Sequence, residues 1–144
     1  MDRIDSTRAR IEQATGLPAI LDAAYAAFEQ LLTAITSQQD RGGGAFAAFV
    51  MSGTAAANGR DALAAAPSLP PGSSGEIAST ASESALELRT QDAAAVLARL
   101  SQLLSRRLTD ASDRTADVGD RLACAQAARH AADVCLLLGG TPEP

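Results

Sequence analysis

Apolar residues recur every three or four positions through four stretches of the chain, and this spacing predicts amphipathic helices. The first stretch begins at Leu17 and extends to about Ser37. Its apolar positions are Leu17, Leu21, Ala24, Phe28, Leu31 and Ile35. Polar residues occupy most of the remaining positions, so we predict that this helix buries one face against its neighbours.

A shorter helix is predicted before it. Ser6 has a side chain of the kind that caps helix N-termini, and Gly16 suits the left-handed conformation that ends a helix. We therefore expect a helix from Ser6 to Thr15. Pro18 then falls in the first turn of the next helix, where proline is tolerated.

The third predicted helix runs from about Gly44 to Asn58, with Gly59 as its left-handed stop. Residues 42–59 contain no charged side chain. A helix without a charged face is either buried centrally or placed in a subunit interface, and both interpretations stay open. One or two further helical turns can follow before Pro67.

Residues 67–82 are rich in Pro, Gly and Ser, and we predict a flexible linker there. Pro67 and Pro70 match the P-x-x-P pattern that SH3-type domains bind, although a spacer that ends a helix explains them more simply. The next helix begins between Ser82 and Asp92. Its apolar side carries Val96, Leu97, Leu100, Leu103, Leu104 and Leu108.

The last predicted helix begins after Asp117, a capping residue, and stops at Gly139. Its polar residues fall in one sector when they are projected at about 100° per residue. These residues are Gln126, Arg129, His130 and Asp133. Small apolar residues fill the rest of the circumference, so we expect it to pack against two or three neighbours.

These elements predict an all-α protein in which residues 1–144 form one helical domain. Residues 17–66 make a first αα-hairpin and residues 83–138 a second, and each has an apolar side that must be covered. Together they predict a four-helix bundle with a short extra N-terminal helix.

Composition adds constraints on function. The chain has 33 alanines, and its 12 basic residues are all Arg, a bias typical of GC-rich genomes such as those of actinomycetes. Without Lys, Schiff-base chemistry and a P-loop lysine are excluded. The net charge is −5 and basic residues are not clustered, so we expect no nucleic-acid binding.

The sequence contains no residue pattern that is typical of a catalytic or metal-binding site. His130 is the single histidine, and no nucleophile is identifiable for it. Cys124 and Cys135 lie about 16 Å apart along one helix, too far for a disulfide, and form no zinc-ligand pattern. We therefore predict no enzyme activity, no metal and no cofactor.

The leading functional hypothesis is a helical interaction protein that self-associates or binds a protein partner. The candidate interface residues are Phe46, Phe49, Met51 and Leu137. The alternative is a bundle that binds a small apolar molecule in a pocket lined by Tyr25 and Phe28. No signal peptide or membrane-length apolar run is visible, so we expect a cytoplasmic protein without membrane contact.

Overall fold

The computed structural model describes residues 3–41, 46–70 and 90–140, and within these ranges it contains five α-helices and no β-strand. The helices are α1 (Arg3–Gln13), α2 (Leu17–Arg41), α3 (Phe46–Ala64), α4 (Thr90–Arg114) and α5 (Val118–Leu137). The predicted all-α fold is confirmed.

The helices pair as the two predicted hairpins. α2 packs along α3, and α4 packs along α5. The hairpins meet through a broad contact between α3 and α5 and a narrower one between α2 and α4. α1 contacts both α2 and α4, so it lies over the narrower seam. This is a four-helix bundle with a short extra N-terminal helix.

Large side chains fill the centre of the bundle. The largest fully buried apolar ones are Leu21, Phe28, Leu31, Ile35, Phe49, Leu63, Leu97, Leu100, Leu104 and Leu108. Burial of each such side chain contributes about 1.5–3 kcal/mol relative to exposure. The leucines of α4 follow the predicted helical spacing, and this spacing is the reason that α4 presents one continuous apolar stripe.

Gly59 does not end a helix, and that prediction is wrong. α3 continues past it to Ala64, and Gly59 has no positive φ angle. A Cβ atom built at Gly59 would lie 2.4 Å from Cε1 of Phe28. Glycine is therefore needed at this position because the ring of Phe28 fills the space that a side chain would take.

Other helix boundaries also differ from prediction. α1 begins at Arg3, so Ser6 lies inside the helix and does not cap it. α2 runs four residues beyond Ser37. Gly16, between α1 and α2, has a φ of +83°, as expected for a glycine that ends a helix.

The predicted ends of α5 are confirmed. The carboxylate of Asp117 accepts a hydrogen bond of 2.8 Å from the backbone N–H of Asp120, as a helix cap does. At the other end, the N–H of Gly140 donates to the carbonyl of Cys135 over 2.8 Å, and Gly139 has a φ of +87°. This pattern is a Schellman stop.

The first four residues of the predicted linker are anchored rather than flexible. Ser68 hydrogen-bonds to Asp120 of α5, and Leu69 packs against the core. Pro67 lies beside Gly119, where an added Cβ atom would be 3.0 Å from Cγ of the proline. Residues 71–82 of the predicted linker lie outside the described residues.

Candidate functional site

An open groove runs between α3 and α5 on the surface of the bundle, and we call it the α3–α5 groove. Its volume is about 380 Å³. Met51, Thr54, Ala55 and Asn58 line it from α3, and His130, Asp133, Leu136 and Leu137 line it from α5. The predicted interface residues Met51 and Leu137 therefore lie in one site, although they are distant in sequence.

Large apolar side chains project at this groove. Met51 is 57% exposed and Leu136 is 50% exposed, and Val50 next to Met51 is 39% exposed. Scattered apolar residues are ordinary on protein surfaces, but a cluster beside a groove is typical of an interaction site. Most other apolar residues of α3 and α5 face the core, whereas Met51 and Leu136 lie on the outer sides of these helices.

The polar groups in the α3–α5 groove do not form a catalytic arrangement. His130 and Asp133 both line it, and Thr54 is the one hydroxyl side chain among its lining residues. The Thr54 hydroxyl donates to the carbonyl of Val50 in its own helix over 3.3 Å, so its proton is not directed at the histidine. The geometry that a general base needs with its nucleophile is not present here.

Phe49, another predicted interface residue, lies away from the groove. Phe49 is 1% exposed and packs in the core of its own chain, so it is not part of an accessible surface and that prediction is wrong. It is buried because its position on α3 faces α2 rather than solvent. The side chain of Phe46 lies outside the described residues.

The structure places the two predicted pocket residues, Phe28 and Tyr25, differently. Phe28 is fully buried, and its ring occupies the gap opposite Gly59. Tyr25 is half-buried and packs against the same core. The ring of Phe28 fills the space opposite Gly59, so this side chain does not line a cavity there.

The two cysteines are free and buried in α5. Burial raises the pKa of the Cys124 thiol to about 11, and the nearby carboxylate of Asp120 adds to the shift. Burial also raises the pKa of Cys135. Both thiols are therefore protonated near neutral pH and unsuited to nucleophilic chemistry. Among the described residues, no group of His, Cys, Asp and Glu side chains could hold a metal ion.

A second cavity, which we call the turn pocket, lies between the α1–α2 turn and the C-terminal end of α4. Its volume is about 490 Å³. Its apolar lining consists of Ala14, Leu17, Ile20, Ala111 and Ala116. Its polar lining consists of Thr15, Gly16, Arg107, Asp110, Arg114 and Thr115.

Arg107 is the partly buried cation of the turn pocket. One of its terminal nitrogens, Nη2, donates to the carbonyl of Ala14 over 2.6 Å. Its Nε atom is buried without a hydrogen-bond partner in the described part of the chain. At the edge of the pocket, Arg114 pairs with Asp110 over 3.2 Å, and the Arg114 side chain is mostly exposed.

Sequence reasoning missed Leu136 and Arg107. Leu136 follows Arg129 by seven residues, two helical turns, so its projection onto the polar face of α5 was a usable signal. Arg107 gave no such signal, because its partner Ala14 is 93 positions away in sequence.

Across the described ranges, none of the helices has the length and apolar character needed to cross a bilayer. No protein-family model, curated protein or solved structure matches this chain.

Proposed function

We propose that this chain is a non-enzymatic helical protein that self-associates through the α3–α5 groove. The observation that carries the proposal is that exposed Met51 and Leu136 line this groove from its two sides. Removing such side chains from water stabilises an interface by about 25 cal/mol per Å² of apolar area.

A second copy of the chain is the occupant that this surface favours. In a two-fold symmetric dimer, the same patch meets itself, so it must contain both a projection and a recess. Met51 is the projection and the adjoining groove is the recess. Each copy would insert Met51 beside Leu136 and Leu137 of the other.

Charge also favours this pairing. Each chain carries a net charge of −5, so two copies repel one another over most of their surfaces. The α3 side of the groove has no charged lining residue, and the α5 side has one acid, Asp133. Close approach at this patch therefore brings few like charges together.

Two buried free thiols favour a reducing compartment, which supports a cytoplasmic location as part of the same proposal.

A stable dimer needs an interface of roughly 1,200–2,000 Å² in total. The groove would be the centre of such an interface, with polar residues such as Asn58 and Arg129 toward its rim.

Sedimentation equilibrium of two matched variants tests the proposal. Leu136 and Leu122 are both on the outer side of α5 and are 50% and 56% exposed, but they lie about 21 Å apart along the helix. Leu136→Asp places a charge in the groove, and we expect it to convert a dimer at tens of micromolar into a monomer. Leu122→Asp adds the same charge outside it and should leave the dimer intact.

Two results would contradict the proposal. One is a wild-type chain that stays monomeric throughout this concentration range. The groove would then be a candidate site for a different protein partner. The other is equal weakening of the dimer by both substitutions, since that would place the interface elsewhere on α5 or show that charge alone is responsible.

A further inference from the structure

We propose that the turn pocket binds a small carboxylate that carries an apolar tail. This site goes beyond the proposed self-association and does not depend on it. The turn pocket is lined by the α1–α2 turn and α4, whereas the α3–α5 groove is lined by α3 and α5. The two sites share no lining residue.

The cationic side of the pocket is the first reason. Arg107 is partly buried, and no acidic side chain pairs with it among the described residues. A charge that loses water is costly unless an opposite charge or hydrogen bonds replace the water. The carbonyl of Ala14 satisfies one of its five N–H donors. An incoming carboxylate would supply the missing negative charge and further acceptors.

The neighbouring groups give the pocket a net positive character. Its lining contains Arg107 and Arg114 as cations and Asp110 as the one acid. The N-terminus of α2 is at the pocket, and its first turn contains no acidic residue. The partial positive charge of a helix N-terminus therefore acts in the same direction as the arginines.

The apolar side defines the rest of the ligand. Leu17 and Ile20 from α2 and Ala111 from α4 form part of its apolar wall. Ligand pockets commonly have volumes of about 300–1,000 Å³ and combine apolar walls with a few placed polar groups. The planar guanidinium of Arg107 matches a carboxylate, and the aliphatic walls match a hydrocarbon tail.

Arg107 also has a structural role, because its bond to Ala14 ties the end of α1 to α4. A structural role alone predicts that removal of Arg107 destabilises the protein but that an added carboxylate has no specific place to bind. Direct measurement of binding separates these two roles.

Sodium octanoate is a suitable probe, and its binding to the full chain can be followed by backbone amide chemical shifts. We expect saturable shifts that are largest at residues 14–20 and 107–116. The neutral analogue 1-octanol should bind about tenfold more weakly, because it cannot form a charge-assisted bond with the arginine.

Two variants complete the test. Arg107→Gln should weaken octanoate binding about tenfold. Arg106→Gln removes the same charge from an adjacent, exposed position of α4 and should change the affinity by less than about twofold. If Arg107→Gln does not fold, the comparison of octanoate with octanol on the unmodified chain still shows whether binding depends on the carboxylate.

The proposal is overturned if octanoate produces no saturable shifts, or if the shifts centre outside the turn pocket. It is also overturned if octanol binds as tightly as octanoate, or if folded Arg107→Gln retains wild-type affinity. Each of these results would leave Arg107 as a tie between α1 and α4.

Discussion

Ser68 donates two hydrogen bonds to the carboxylate of Asp120, one from its backbone N–H over 2.9 Å and one from its hydroxyl over 2.6 Å. Asp120 is buried in the first turn of α5. The bonds join the chain that leaves the first hairpin to the start of the last helix, 52 residues later. They therefore hold the two hairpins together at one end of the bundle.

We expect Asp120→Asn to lower the free energy of unfolding by about 2–3 kcal/mol, because hydrogen bonds to a buried charge are stronger than neutral ones. Ser68→Ala removes only the hydroxyl bond and should cost about 1–2 kcal/mol. Urea denaturation of both variants measures these losses.

A double-mutant cycle shows whether the two residues act through each other. The double variant should lose less than the sum of the two single losses, because both substitutions remove the same bond. Asp113→Asn, at an exposed position of α4, is the control and should be close to neutral. Additive losses would show that the two side chains stabilise the fold independently.

Gly59→Ala provides a second prediction, in which packing opposes helix propensity. Alanine is favoured over glycine inside a helix by about 1 kcal/mol. Here its Cβ atom would lie 2.4 Å from the Phe28 ring, and overpacking of a core typically costs about 1–3 kcal/mol. We therefore expect net destabilisation in thermal unfolding.

The smaller side chain in Phe28→Leu should remove the destabilisation that Gly59→Ala causes in the wild-type chain. In the Phe28→Leu background, Gly59→Ala has room for its methyl group and should become neutral or stabilising. If Gly59→Ala stabilises the wild-type chain, the close packing of α2 against α3 at this point is not as described.

The contrast between Gly59 and the leucines of α4 explains what the sequence could predict. Spacing alone was enough for the α4 stripe, because helical periodicity is a local property of the chain. Whether Gly59 ends a helix or admits a ring depends on Phe28, which lies in another helix. Local glycine rules favour a helix stop, and tertiary packing reversed that preference.

The same distinction applies to the sites. The placement of Met51 and Leu137 at the surface was predictable in part, because Met51 lies in a stretch without charged residues and Leu137 projects onto the polar sector of its helix. Arg107 was not, because its environment is made by the α1–α2 turn, and docking of that turn is a long-range event. Phe49 was a candidate interface residue because the sequence does not show which side of α3 faces the core.

The buried thiols predict a loss of stability in alkaline solution. The native state raises the pKa of Cys124 from 9.0 to about 11, so the folded chain holds this proton more tightly than the unfolded chain. Unfolding therefore releases a proton in this interval, and the stabilisation is complete below pH 9.0 and is lost as the pH rises toward about 11.

Urea denaturation at several pH values across this interval measures the slope. Cys135 contributes in the same direction, because burial raises its pKa as well. The double substitution Cys124→Ala with Cys135→Ala should give a shallower decline than the wild type, whatever its effect on stability near neutral pH. Equal slopes in the two proteins would assign the alkaline loss to other groups.

Ile11 is the main apolar anchor among the described side chains of α1. It is the fully buried residue of that set. Other ties include the hydrogen bond from Arg107 to the carbonyl of Ala14, a hydrogen bond from Thr7 to Gln30 and a partly exposed ion pair between Arg10 and Asp22. Exposed pairs of this kind contribute only about 0–1 kcal/mol, so apolar burial dominates.

We expect Ile11→Ala to cost about 2–4 kcal/mol and to release α1 locally rather than unfold the bundle. Among the described residues, α1 packs mainly against α2 and α4, whereas the broad contact between α3 and α5 lies apart from it. Native-state hydrogen exchange should therefore show α1 amides losing protection while core amides of α4 and α5 retain most of theirs. Gln13→Ala, at an exposed position of the same helix, should leave the pattern unchanged. Uniform loss of protection in all five helices would instead show that α1 is part of the cooperative core, since its detachment would then require global unfolding.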